Sequence, residues 1–160
     1  MKKYVLKKNR QKQFQQPINA VSEIKKMGVI YNAQETQIEA LKAALRKNFP
    51  NVAISEIAFV HNEKGERLTQ VFSKKSFSLS GKIKKDSYAQ SFSNQNFDVQ
   101  INFFQKENPF LLALSSLAKG NIKIGFPLSE SQLNHLEFKM ALDEETSFAE
   151  EVKNYLEKIK

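Results

Sequence analysis

The hydrophobic pattern is clearest between positions 97 and 126, where it predicts a strand, a helix and a second strand. Phe97–Phe104 sets apolar side chains between polar ones over the length of one strand. Asn108 and Pro109 indicate a helix start, because Asn accepts from free backbone N–H groups and Pro suits the first turn. Phe110–Ala118 is apolar almost all round, which is typical of a buried helix. Ile122–Phe126 is the second strand, and a helical connection of this length favours a parallel pair.

Four residues of this unit have expected structural roles. Gly120 is predicted to end the helix in a left-handed conformation. Ser115 and Ser116 lie within the helix, where we expect their hydroxyls to bond to the backbone. Asp98 opens the first strand, at the edge opposite to the one where parallel α/β sheets bind ligands. We therefore expect Asp98 to be a structural or solvated carboxylate.

The first half of the chain has the same order of elements. Met27–Asn32 reads as a short buried strand. Thr36 and Glu39 have the spacing of a capping box and predict a helix that ends near position 48. Val52–Val60 is apolar and β-branched, as expected of a second strand.

The remaining segments give shorter signals. Leu68–Phe72 is either an added strand or a loop. His135–Leu142 alternates apolar and polar residues, which suggests a half-buried edge strand. Ser147 and Glu150 are predicted to start a last helix with one apolar face.

This order of elements predicts an α/β fold. We expect a three-layer sandwich on a mostly parallel, Rossmann- or flavodoxin-like sheet of about five strands. Residues 17–160 are predicted to form one domain, preceded by a basic N-terminal arm at residues 1–16.

Charge and composition change this picture at the N-terminus. Residues 1–26 contain eight Lys or Arg and one Glu, whereas residues 27–160 contain 17 Lys or Arg and 16 Asp or Glu. We expect the arm to contact an anionic partner through its six basic side chains: Lys2, Lys3, Lys7, Lys8, Arg10 and Lys12. A second basic patch follows within residues 74–85, which hold no acid: Lys74, Lys75, Lys82, Lys84 and Lys85.

Several kinds of site are excluded or disfavoured. The chain has no Cys, which excludes disulfides and thiolate zinc sites, and fits a cytoplasmic protein. His61 and His135 lack partners at ligand spacing, so we expect no metal. No apolar run is long enough to span a bilayer, and no secretory signal is recognisable. Walker and dinucleotide loops are absent, so no cofactor is predicted, and enzymatic activity is disfavoured.

A ligand crevice is nevertheless predicted by the fold itself. In parallel α/β sheets, ligands bind at the carboxyl ends of the strands, beside helix N-termini. The residues expected there are Asn32, Gln34, Thr36, Gln105, Lys106 and Asn108. Capping and loop roles explain the same side chains, so both interpretations stand at this point.

Two resemblances add to these observations. Ser78–Lys82, the Phe97–Val99 strand opening and the segment around Ala118 and Lys123–Gly125 resemble a family of small uncharacterised bacterial α/β proteins, a domain of unknown function. The unit from Phe97 to Phe126 is also similar to a βαβ unit in the acceptor domain of heptosyltransferase-type glycosyltransferases. That second resemblance implies the fold, but Gly28 lies inside a strand where those enzymes carry a Gly-rich loop after it.

Three functional hypotheses follow. The first is a non-catalytic binding module whose basic arm contacts an anionic partner, RNA or a ribonucleoprotein. The second is a sugar-phosphate- or nucleotide-binding protein that uses the strand-end crevice. The third is a scaffold for protein–protein interaction. A membrane surface is a fourth, less favoured partner for the arm, because only three apolar residues accompany its charge.

Overall fold

The computed structural model of the protein describes residues 23–129 and 132–158, in which six strands form one sheet. The strands are β1 Lys26–Asn32, β2 Ala53–Phe59, β3 Val71–Phe72, β4 Asn96–Phe103, β5 Lys119–Gly125 and β6 Leu136–Glu137. Their order is β3-β2-β1-β4-β5-β6, and every neighbouring pair is parallel. The predicted α/β fold on a Rossmann-like parallel sheet is confirmed, with six strands in place of about five. The predicted basic arm lies outside the described residues.

Helices cover both faces of this sheet, which gives the three layers. The helices are α1 Glu39–Asn48, α2 Tyr88–Ser93, α3 Pro109–Leu117 and α4 Glu145–Lys158. On one face, Leu41 of α1 and Phe148 of α4 pack in the same core as Val99 of β4. On the other face, Phe92 of α2 and Leu111 of α3 pack in a second core. Burial of these apolar side chains on both sides of the sheet is the main stabilising contribution to the fold.

The central strand β1 carries buried apolar side chains on both faces because helices cover both faces of the sheet. Met27, Val29 and Ile30 of β1 are fully buried. Gly28 is required in this strand, since the ring of Phe97 lies over it and an added Cβ would come within 2.7 Å of that ring. The absence of a side chain at Gly28 therefore allows the ring of Phe97 in β4 to pack against β1.

The prediction that Gly120 ends the helix before β5 is wrong. The α3 helix ends at Leu117 and is capped by Ala118, whose N–H donates to the carbonyl of Leu114, and Gly120 already lies in β5. An added Cβ at Gly120 would lie 2.3 Å from the Cβ of Gln100. Gly120 is therefore needed because β4 and β5 approach each other closely at this position. The residue pattern at the end of a helix does not reveal this contact between strands.

Helix starts were predicted with mixed success. Asn108 caps α3 as expected, since its side chain accepts from the N–H groups of Phe110 and Leu111, and Pro109 occupies the first turn. The prediction of a capping box at Thr36 is wrong, because α1 starts after Ile38 and has no side-chain cap. Ile38 is buried in the core, so packing replaces capping at this end. The last helix, α4, begins at Glu145, two residues before the predicted start.

The edges of the sheet are shorter than expected. The predicted edge strand at His135–Leu142 is reduced to the two residues of β6, which pair with Ile124 and Gly125 of β5. The segment Leu68–Phe72 contributes the two residues of β3. The α2 helix was not predicted; it has only six residues, and Ser87 caps its first turn.

The strand order defines where the chain changes direction across the sheet. Strands β1, β2 and β3 run to one side, and β4, β5 and β6 run to the other. The loops that follow β1 and β4 therefore diverge at neighbouring strand ends, which is the place where ligands bind in sheets of this order.

Candidate functional sites

The strand-end crevice between β1 and β4 is occupied by a carboxylate of the chain itself. Glu35 lies in the loop after β1, and its Oε1 accepts from the backbone N–H of Gln105 at 2.7 Å. The two carboxylate oxygens also accept from the N–H of Lys106, at 3.2 and 3.1 Å. These backbone donors would face an incoming anion, so Glu35 takes the position that a phosphate would need.

The other crevice residues also bond within the chain. Asn32 is buried, donates to the carbonyl of Lys106 at 3.2 Å and accepts from the N–H of Gln34 at 3.0 Å. The side chain of Gln105 donates to the carbonyl of Met140 at 2.8 Å.

The two remaining crevice candidates have local roles. The hydroxyl of Thr36 donates to the carbonyl of Gln37, and Asn108 caps α3. Hydrogen bonds thus join Asn32, Gln34 and Lys106, while Gln105 and Lys106 share the carboxylate of Glu35. Glu35 was missed, although a carboxylate in the loop of a predicted crevice was a visible signal.

A layer of buried polar side chains lies between the sheet and α3. Gln100 and Asn102 of β4 are fully buried, and the side chain of Gln100 donates to Asn102 Oδ1 at 2.9 Å and to the carbonyl of Ser115 at 2.8 Å. Asn102 in turn donates to Asn134 Oδ1 at 2.7 Å. Asn134 fits here because the neighbouring residue of β5 is Gly125, where a Cβ would lie 2.6 Å from the Asn134 amide.

Lys123 brings a titratable group into the same layer. It is only 7% exposed, and its Nζ donates to the carbonyls of Ser115 and Ser116 at 2.8 and 3.1 Å. These carbonyls belong to the last turn of α3, whose dipole favours a cation. Burial lowers the pKa of Lys123 from 10.5 to about 8, because the charged ammonium loses its hydration.

Four buried polar atoms of this face lack a hydrogen-bond partner within the described residues. They are Gln100 Oε1, Ser115 Oγ, Asn134 Nδ2 and Glu137 Oε1. The expectation that the hydroxyl of Ser115 bonds to the backbone is therefore wrong. Burial also raises the pKa of Glu137. Because its members are enclosed, the layer specifies how α3 packs on the sheet.

Residues 74–85, which we call the basic hairpin, form a separate feature on the surface. It begins with a 3₁₀ turn at Lys74–Ser76, and Ser73 and Ser76 form a reciprocal capping box at the start of this turn. Phe77 and Ile83 then pair as an antiparallel bridge. The turn between them is closed by bonds from the N–H of Ser78 to the carbonyl of Lys82 and from the N–H of Gly81 to the carbonyl of Ser78.

The basic hairpin has a buried base and an exposed, cationic outer part. Phe77 is 1% exposed and anchors it in the core beside Phe72. Leu79 is 87% exposed at the tip. Gly81 has a φ of +83°, which a side chain would disfavour. All five lysines of the second basic patch are exposed: Lys74, Lys75, Lys82, Lys84 and Lys85.

Asp98 and the histidines have structural roles, as expected for Asp98. Asp98 Oδ2 accepts from the N–H groups of Lys25 and Lys26 at 2.8 and 2.9 Å, which holds the start of β1 against β4. His135 Nδ1 accepts from the N–H of Lys123 at 2.8 Å, and the ring of His61 packs edge-on against Phe59. In residues 23–129 and 132–158, no three His, Asp or Glu side chains are grouped as a metal site would require.

No helix in the described part of the chain combines the length and the apolar character needed to cross a bilayer. The basic arm, Lys2 to Lys12, lies before the first described residue, so its predicted contacts remain predictions.

The family of the chain follows from a comparison of its whole length with known families. The profile of a family of unknown function, DUF6913, matches residues 2–159. The chain belongs to this family. Searches among curated proteins and among solved structures gave no match. The expected resemblance to a family of unknown function is confirmed by the DUF6913 match, while the similarity to glycosyltransferase acceptor domains remains an expectation.

Proposed function

We propose that this DUF6913 protein is a non-catalytic binding module that contacts RNA through its basic surfaces. The observation that carries the proposal is the basic hairpin, where five exposed lysines stand on a base that is anchored in the core. No acidic residue lies within residues 74–85. Such a surface neutralises phosphates and releases counterions, which gives affinity for a polyanion.

The basic arm supplies a second cationic element in the same chain. Its six basic residues lie within the first 12 positions, which contain no acid. We propose that the arm and the basic hairpin contact the same RNA, because two cationic elements on one chain raise each other's effective concentration at a shared partner.

The internal hydrogen bonds of the strand-end crevice support a binding role elsewhere on the protein. The N–H groups of Gln105 and Lys106 already donate to Glu35, so a sugar phosphate would first have to displace this carboxylate. The basic hairpin has no such competing carboxylate among its own residues.

The test measures RNA binding by full-length variants, since removal of residues 1–26 would also remove the first residue of β1. Fluorescence anisotropy with a labelled single-stranded 20-mer of mixed sequence is recorded between 50 and 300 mM KCl. In the hairpin variant, Gln replaces all five lysines of the basic hairpin. In the arm variant, Gln replaces all six basic residues of the arm.

A matched control removes equal charge from elsewhere on the surface. It replaces five exposed basic residues by Gln: Arg46, Lys47, Lys139, Lys153 and Lys158. We expect the wild-type slope of log K against log salt to fall in magnitude by up to about 3.5 in the hairpin variant, at about 0.7 per phosphate contact. The control should keep the wild-type slope.

Three results would overturn the proposal. They are an equal loss of affinity in the hairpin variant and the control, binding that does not depend on salt, and no RNA binding at all. Vesicles that contain phosphatidylserine are assayed in parallel. Salt-dependent binding to vesicles without binding to RNA would instead assign the basic surfaces to a membrane.

A further inference from the structure

A small pocket opens at the base of the basic hairpin, on the edge of the sheet where the strands begin. It has a volume of about 240 Å³ and lies between Lys82 and Ile83 of the hairpin, the end of α2, the end of α3 and the first residue of β5. Six of its lining side chains could contact a ligand: Lys82, Ile83, Gln90, Asn94, Leu117 and Lys119. The pocket is therefore continuous with the proposed RNA-binding surface.

The apolar part of the pocket suits a flat, weakly polar group. Ile83 and Leu117 are half-buried and pack against the core that lies beneath α2 and α3. A nucleobase placed on them would bury one face on apolar surface and leave its polar edge toward the rim.

The polar part of the rim consists of two side-chain amides. The carbonyl of Gln90 accepts from Ser93 Oγ and from the N–H of Asn94, but the side-chain amides of Gln90 and Asn94 make no hydrogen bond within residues 23–129 and 132–158. An amide presents a donor and an acceptor together, which is the pattern of a base edge.

Two cations flank these amides. Lys82 and Lys119 are exposed, and neither forms an ion pair with another described residue. Lysine contacts phosphate as a mobile point charge, and such a phosphate contact carries no base information. The pocket thus offers phosphate contacts beside groups that could read one base.

The volume sets the size of the ligand. Pockets for drug-sized ligands measure about 300–1,000 Å³, so a pocket of about 240 Å³ is too small for a dinucleotide cofactor. A single base of an unpaired strand fits this limit better, and its sugar and phosphates would remain at the open mouth.

We propose that this pocket receives one unpaired base of the RNA held by the basic hairpin, with Gln90 and Asn94 at the base edge and Lys82 and Lys119 at the flanking phosphates. This inference rests on the proposed function. It adds that the protein prefers some bases over others, whereas lysines alone would bind every sequence equally.

The test compares four labelled homopolymers, the 12-mers of A, C, G and U, by anisotropy at one salt concentration and over a salt series. The pocket variant is Gln90→Ala with Asn94→Ala; both changes spare the backbone bonds that end α2. The control variant is Gln37→Ala with Asn154→Ala, which removes two exposed amides of the same types elsewhere.

We expect the wild type to prefer one or two homopolymers, and the pocket variant to lose about tenfold in affinity for those. Its salt slope should stay at the wild-type value, because no phosphate contact is removed. A third variant, Lys82→Gln with Lys119→Gln, should instead reduce the slope by about 1.4 and weaken all four homopolymers alike.

The outcomes separate the two proposals. If the wild type binds RNA with a slope that depends on the hairpin lysines, but the pocket variant keeps its affinity and base preference, only the pocket assignment is overturned. A wild type without base preference overturns it in the same way. If the wild type does not bind RNA, the proposed function and the pocket assignment are both wrong.

Discussion

Lys123 is expected to make the folded protein less stable at neutral pH than at pH 10. Its pKa is 10.5 when the side chain is hydrated and about 8 in the folded protein. Below pH 8 both states carry the charge, and the folded state bears the full cost of burying it. Between pH 8 and 10.5 the unfolded chain holds more protons, so raising the pH stabilises the folded state.

The magnitude follows from the size of this pKa difference. A difference of about 2.5 units corresponds to about 3 kcal/mol of unfolding free energy. Because the side chain is 7% exposed, solvent screening reduces this figure little. About 2 kcal/mol of it should be recovered between pH 7.5 and 10.

The perturbation is Lys123→Met, which removes the charge and keeps an unbranched side chain. The measurement is urea unfolding at pH 7.5, 8.5, 9.5 and 10 for the wild type and the variant. The wild type should gain about 2 kcal/mol relative to the variant over this range. The constant offset between the two proteins is not diagnostic, because Met also loses the bonds to Ser115 and Ser116.

Two features of the design isolate Lys123. Burial also raises the pKa of Tyr31. In the unfolded chain this phenol ionises around its ordinary pKa of 10.0, which acts in the opposite direction, so the series stops at pH 10 before the effect becomes large. Lys119→Met, at an exposed position of the same strand, controls for charge removal. If the curves of the wild type and Lys123→Met stay parallel from pH 7.5 to 10, the reasoning about this buried lysine is refuted.

Three further predictions concern stability, measured by urea unfolding at pH 7. Gly120→Ala should lose about 1–3 kcal/mol, because its Cβ would lie 2.3 Å from a carbon of the opposite strand; an unchanged midpoint would show that β4 and β5 can separate freely. Asp98→Ala should lose about 1–3 kcal/mol, since two backbone N–H groups lose their acceptor, and a loss below about 0.5 kcal/mol would contradict its role in holding β1. Leu79→Ser should change stability by less than about 0.5 kcal/mol because Leu79 is 87% exposed, whereas Phe77→Ala should lose about 3 kcal/mol or more; similar losses would mean that the tip is packed.

The central strands could be predicted because their information is local. The apolar run of β1 and the alternating apolar positions of β4 and β5 each extend over the length of a strand. Asn108 and Pro109 mark the start of α3 within two residues. These signals do not depend on what the rest of the chain does, so the layers of the fold follow from them.

The errors concern residues whose role depends on distant partners. Gly120 is explained by Gln100 on the neighbouring strand, and the carboxylate of Glu35 bonds to N–H groups about 70 positions away. The burial of Lys123 could not be predicted for the same reason, because an alternating strand does not indicate that a helix covers its polar face. The candidate surface was partly predictable, since the lysine cluster is visible in the sequence, but the adjoining pocket arises only when α2 and α3 meet.

The two edge strands have a consequence for assembly. Because β3 and β6 contain two residues each, the outermost strands of the described sheet offer only short rows of backbone donors and acceptors to another chain. A peptide or a second copy that added itself as a further strand would find only a few hydrogen bonds there. If this protein also serves as a scaffold, we expect its protein partners to be recognised through side chains on helices and loops, and edge strands this short disfavour the joining of copies sheet to sheet.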